Sequence, residues 1–433
     1  MSDILDTIKR KISEGAVSLR FRDELEPTAG HGQTFQPPTY PAEADGSRYA
    51  TWVQGLTDSS GEPRFENGQR LTTLSVLVDA EASQSNRAEE ALASLVDEKI
   101  LSLPRLELVV NAGEVPELNY FTGQRLFTNL NTPHREQDPI FRFALVSKDV
   151  YKQLRPDEDL SELAEVEPGM VPFARTGLGR SIITTSADDF GPLLRYAAPS
   201  LVYGFWHSYS TGQSAERPRL ARRYSSTIVA HDAFPVRSSS VKAALFNEGN
   251  DIHVGASAAD ELLFDVFAPG TKDAGKASAV GAGAIPGHLG DKGFTAQRID
   301  WISTISVRGL LAIPLGLDTT PEQRSAVAAA LMILAVSGRA HTGLFLRSGC
   351  DLARVPGTKK IEWIMRDGTV ELWDLDPSPQ AIQEAWDQAK AELAELGGPI
   401  IGDASDTIRL SLSPGYRKLI DDSNTPKPIF KEA

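Results

Sequence analysis

Asp300 to Leu315 reads DWISTISVRGLLAIPL, and Thr320 to Val336 reads TPEQRSAVAAALMILAV. The first run is rich in β-branched residues and is expected as one long strand. The second opens on a threonine that can cap a helix, with Pro321 in the first turn, and then becomes almost wholly apolar. Its core, Ala326 to Val336, is the longest apolar run of the chain. It falls short of the roughly 18 residues that a membrane helix needs.

Similar signals lie on both sides of this strand–helix unit. Downstream, Gly343 to Leu346 is expected as a short buried strand, and Ser378 to Leu396 as an amphipathic helix. Upstream, Ser225 to Ala233 is a β-rich run, Leu71 to Val78 a strand, and Leu106 to Val110 and Phe141 to Val146 further strands. Phe190 to Trp206 is expected as a helix broken near Pro199. Asn86 to Val96 is a helix that Ser83 and Ser85 can cap, with Glu89 and Glu90 near its start, where the helix dipole favours acids. Ala16 to Leu25, AVSLRFRDEL, alternates like a half-buried strand and follows a short amphipathic helix at the N-terminus. The order strand, helix, strand, strand, helix, strand is the split βαβ, ferredoxin-like pattern, an α+β class with large loop insertions. The expected division is a core over residues 1–355, with insertions at about 26–68, 111–190 and 236–296, and a C-terminal extension over 356–433 carrying the acidic helix.

Composition narrows the function. The 433 residues, 41% hydrophobic and 24% charged, suffice for a sizeable core, and a single cysteine, Cys350, excludes an internal disulfide and suits a reducing compartment. No secretory signal is visible, so a cytoplasmic place is expected. The net charge of -14 opposes nucleic acid as a partner, but the charge is uneven. Asp149 to Glu167 holds seven acids and two bases, whereas Arg217 to Arg237 holds five arginines and one acid, Asp232. An acidic shell around a local basic groove is compatible with RNA and suppresses non-specific binding.

Catalytic motifs come up empty: there is no phosphate-loop lysine motif and no Gly-x-Ser-x-Gly elbow, and Gly281-x-Gly283 is followed by Pro286 where a third glycine is required. The seven histidines lack metal-ligand spacing. No catalytic residue, metal or cofactor is therefore expected.

Three constellations remain. Gln84, Ser85, Asn86 and Arg87, at a helix start just after a strand, could cradle a phosphate; the plainer reading is a helix cap. Pro199 to Ser208, PSLVYGFWHS, leads into Arg217, Arg219, Arg222 and Arg223, placing aromatics within reach of cations that hold phosphates. Here Tyr203, Phe205 and Trp206 read as core, with His207 and Ser208 at a groove edge. The glycine-rich Ser278 to Gly287, followed by Lys292 and a strand, permits close backbone approach; it reads equally as a hairpin tip.

Together, the opening strand with Phe35-Gln36-Pro37, Ser83 to Leu92, Pro199 to Ser208, Arg217 to Asp232, Gly281 to Gly287 and the strand from Ile299 resemble the backbone subunit of the type I-G (formerly I-U) CRISPR surveillance complex, Cascade, within the repeat-associated Cas-seven superfamily. The resemblance implies a modified RNA-recognition fold, a palm with a protruding thumb, and no nuclease activity. It also implies several copies wound along a guide crRNA, with other Cascade subunits as partners and target DNA met through guide pairing. The residues it points to for RNA are Gln84, Ser85, Asn86, Arg87, His207, Ser208, Arg217, Arg219, Arg222, Arg223 and Lys292. Two rivals stay open: an enzyme using His207 or His231, and an RNA-free structural assembly protein.

Overall fold

The computed structural model describes residues 4–41, 48–56, 62–111, 124–183, 185–206, 219–238, 253–259, 263–272, 274–277, 290–375 and 377–424. Six elements build the centre: β1 (Ala16–Pro27), α1 (Glu81–Asp97), β2 (Tyr224–Ser238), β3 (Gly290–Ser306), α2 (Pro321–His341) and β4 (Cys350–Arg354). A further strand, β5 (Lys360–Met365), completes them.

β3 lies between β1 and β2, antiparallel to both, with Phe21 opposite Ser303 and Ser303 opposite Ser226. β1 in turn pairs antiparallel with β4 at Leu25–Pro27 and with β5 at Ala16–Arg22. The two α-helices α1 and α2 pack on one face of this sheet, giving the α+β, ferredoxin-like arrangement expected from the element order. Two strands inserted between β1 and α1, Thr72–Asp79 and Thr51–Gly55, extend the sheet beyond β2.

Alternation decides the faces. Along β1, Leu19, Phe21, Asp23 and Leu25 are buried, while Arg20, Arg22 and Glu24 line the open face. Leu19 and Phe21 join Ala88, Leu92, Ile305 and the whole run Ala326–Val336 in the main core. From Ala326 to Val336 α2 is apolar on every side because it is covered on every side, the helix touching α1 and helices Ile4–Ser13, Gly191–Tyr203 and Pro379–Glu395. Its start is a full capping box between Thr320 and Gln323. The one charge near its buried end, Arg339, lies over the Trp301 ring, 3.1 Å from the centroid, and donates to Ser303 and to Asp23.

Several expectations need correction. The strand from Asp300 stops at Ser306, whose hydroxyl caps a short helix, Val307–Leu311, by accepting from Gly309 N–H at 3.0 Å. α1 begins at Glu81, five residues before the expected Asn86. Phe141 lies in a helical turn, Pro139–Arg142, capped by Asp138, and the strand there is only Leu145–Ser147. The final sheet position is not filled by Gly343–Leu346: Phe345–Arg347 pairs only with β4, turned back by Gly349 at φ +76°. On the edge away from β3, β1 pairs with both β4 and β5, so the sheet continues past residue 355. The helix Gly191–Tyr203 does break, at Ala197, two residues before Pro199.

Candidate nucleic-acid interface

Helix Gly191–Tyr203 ends at Gly204, whose φ of +77° suits glycine. A Cβ there would sit 2.7 Å from the Leu220 carbonyl oxygen. The turn leads into a two-stranded hairpin, Phe205–Trp206 against Arg219–Leu220, with Phe205 opposite Leu220 and Trp206 opposite Arg219. Period-two alternation sends Phe205 and Leu220 inward and Trp206 and Arg219 outward. Trp206 is thus 63% exposed, contrary to its expected place in the core. Its indole N–H donates to His134 Nδ1 at 3.0 Å, with the two rings 6.2 Å apart.

Arg219 and Arg222 are exposed, and neither makes a hydrogen bond or close ion pair with a described residue; Arg222 only feels the charge of Glu89. Arg223 is different. Its Nε donates to the Gly309 carbonyl at 2.8 Å and its Nη1 to the Ala221 carbonyl at 3.1 Å, and burial lowers its pKa. It ties the start of β2 to helix Val307–Leu311.

Behind the hairpin runs a buried polar layer. Arg135, at φ +53°, forms an ion pair with Glu89 of α1, and the next residue, Glu136, accepts from Ser200. Burial pushes Glu136 up to about 7, against the hydrogen bond from Ser200 and the charge of Arg135. Burial also raises Glu89, and Arg135 opposes this.

The expected phosphate cradle at the start of α1 is occupied by the protein itself. Asp79, almost wholly buried, accepts from Gln84 Nε2 at 2.6 Å, Arg87 Nε at 3.1 Å and Arg347 Nη2 at 3.0 Å. Arg87 also reaches the Leu346 carbonyl at 2.6 Å. Ser85 is buried and donates to the Glu81 carbonyl, and Asn86 alone of the four is exposed. Because α1 starts at Glu81, these residues lie past its first turn, and their backbone N–H groups belong to the helix. Lys292 lies in β3. His207, Ser208, Arg217 and Gly281–Gly287 lie outside the described residues.

Sequence reasoning missed the open sheet face. There Arg20 pairs with Glu362 at 2.7 Å, and Arg298 with Asp300 at 3.0 Å. His231 stands between Asp300 Oδ2 and Ser75 Oγ, 3.4 Å from each. Burial opposes it, but the His231 hydrogen bond and the Arg298 charge hold Asp300 below the usual range. Ser75 has no exposed surface and its hydroxyl meets Gln54 Oε1 at 3.1 Å, so a substrate has no path to it as a nucleophile. Arg20 and Arg298 thus stand beside carboxylates, whereas Arg219 and Arg222 make no close ion pair with a described residue.

Residues 19–235, half of the chain, match the family described as CRISPR-associated protein GSU0053. The chain belongs to that family. The match takes in most of β1, all of α1, the Trp206–Arg219 hairpin and most of β2. No curated protein matches. A solved chain titled "CRISPR RNA-guided surveillance complex, pre-nicking" aligns over 94% of this chain and 98% of that one, at 11% identity and a TM-score of 0.27. So loose a superposition says nothing of this CRISPR-associated chain's partners. Among the described residues no group of three or more His, Cys, Asp or Glu side chains could hold a metal ion, and no helix is long and apolar enough to cross a membrane.

Proposed function

We propose that this CRISPR-associated protein is a non-catalytic backbone subunit of a Cascade-type complex that holds a single-stranded guide RNA. In this reading the guide is gripped chiefly through its phosphates, and copies of the chain line up along it. Other subunits complete the complex, and target DNA is met through pairing with the guide. The observation that carries the reading is the hairpin: an exposed indole directly across a strand pair from Arg219, with Arg222 two residues beyond the hairpin, neither arginine in a hydrogen bond or close ion pair with a described residue. Aromatic faces stack on bases of any identity and guanidinium groups hold phosphates, so the surface suits single strands without sequence preference.

Purified protein should carry RNA and show a raised 260/280 nm absorbance ratio. Its affinity for single-stranded RNA should fall with salt, with a slope of about -0.7 for each phosphate neutralised. Replacing Arg219 and Arg222 together by alanine should reduce that slope by roughly 1.4. A salt-independent affinity, or a strong preference for one base composition, would sink the reading. Nuclease treatment separates it from an RNA-free assembly protein, because an RNA-held oligomer shortens or falls apart and a self-sufficient one persists.

A further inference from the structure

Trp206 is the most exposed tryptophan among the described residues, and the one polar contact of its indole is with His134. An indole N–H can only donate. His134 Nδ1 must therefore accept, which requires an unprotonated Nδ1 and leaves the imidazole proton on Nε2. An imidazolium carries protons on both nitrogens and has no acceptor to offer. We propose that His134 is the positioning residue that presents Trp206 as a stacking platform for an unpaired nucleobase, and that it does so only as a neutral imidazole. This rests on the RNA-binding reading and adds its regulation: uptake of a proton in mild acid, where histidines change charge, frees the indole and weakens base stacking.

The surroundings make the latch local. His134 is half-buried at the head of the turn that carries the buried Arg135–Glu89 and Glu136–Ser200 contacts, so its backbone is fixed. The charged groups of this turn and hairpin are Asp138, which accepts from the His134 backbone N–H at 3.4 Å, Arg219 across the strand from Trp206, and the two residues after His134, Arg135 (paired with Glu89) and Glu136. Among the described residues the imidazole makes the hydrogen bond that joins this layer to the indole. A protonated His134 would also add positive charge, which by itself strengthens phosphate binding. A loss of stacking in acid thus runs against the general electrostatic trend and can be separated from it.

The experiment compares the full chain's affinity for a short single-stranded RNA with that for the same RNA carrying abasic sugars, at pH 8 and pH 5.5. The ratio of the two affinities cancels phosphate attraction. At pH 8 wild type should favour the intact RNA roughly tenfold, the scale of one base stacked on an aromatic ring. At pH 5.5 the ratio should fall to that of Trp206→Ala. His134→Gln, whose amide oxygen accepts from the indole at any pH, should keep the full ratio at both. An unchanged wild-type ratio, or a Gln variant that loses it in step with wild type, overturns the proposal. The indole N–H resonance of Trp206 in the free protein should also move with pH in wild type and stay still in His134→Gln. A static wild-type resonance likewise overturns the latch. A resonance that moves in a protein with no affinity for RNA at pH 8 overturns the guide-binding reading instead.

Discussion

Glu136 has no exposed surface, and burial lifts its carboxyl from 4.5 to about 7. The unfolded chain gives up this proton more readily than the folded one, so ionisation favours unfolding. The stabilisation is whole below pH 4.5 and is lost as pH rises through about 7. The full loss is about 3 kcal/mol, from 1.36 kcal/mol per pKa unit. Glu136→Gln should therefore match wild type near pH 4.5 and exceed it by up to that amount above pH 8; denaturant melts at both pH values give the comparison, and equal pH slopes would refute it. Trp206 makes the opposite point. Within the apolar run from Leu201 it reads as core, where its loss would cost about 3–5 kcal/mol. Its exposure reduces the expected cost of Trp206→Ala to within about 0.5 kcal/mol. The missed signal was Gly204, which ends the helix and starts a period-two count in which Phe205 goes in and Trp206 out.

At the scale of elements, two central strands were legible because alternation follows directly from burying one face of a sheet. Ala16–Pro27 and Tyr224–Ser238 fall where alternation or β-rich composition put them. The start of α1 was not legible because Ala80 stands at its N-cap with no side-chain cap, so the eye moves on to Ser83 and Ser85. The side chain that organises this end is Asp79, the last residue of the preceding strand, through Gln84, Arg87 and Arg347. Removing it strands two partly buried arginines, so Asp79→Ala should cost about 3–5 kcal/mol. The exposed Asn86→Ala should change stability by no more than about 0.5 kcal/mol. A thermal melt of the two variants makes the test, and an Asp79→Ala protein as stable as wild type would show that the cluster holds nothing. The same contacts make Gln84 and Arg87 poorer candidates for RNA: Gln84 is buried against Asp79, and Arg87 already donates to Asp79 and to the Leu346 carbonyl.

For the whole molecule, the ferredoxin-like order was readable, but its closing strand was not. The expected Gly343–Leu346 is short and buried enough to qualify, while Lys360–Met365 comes after a turn and looks like the beginning of a tail. Register decides the matter: Arg22 to Leu19 of β1 face Lys360 to Trp363, with Arg20 bound to Glu362 across the pair. Beyond it, helix Pro379–Glu395 buries Ile382, Trp386 and Leu393 in the same core as α2, and the Trp386 indole donates to the Ser102 carbonyl at 3.1 Å. A chain ending at residue 355 would lose Trp363 and Trp386, both fully buried, and would expose the β1 edge to water. Each large core side chain deleted costs about 3–5 kcal/mol, and a folded protein has only about 5–15 kcal/mol to lose. The 1–355 fragment should therefore lack a cooperative melt and bind a hydrophobic dye. Should it instead melt as sharply as the full chain, residues 356–433 would be an appendage and not a wall of the core.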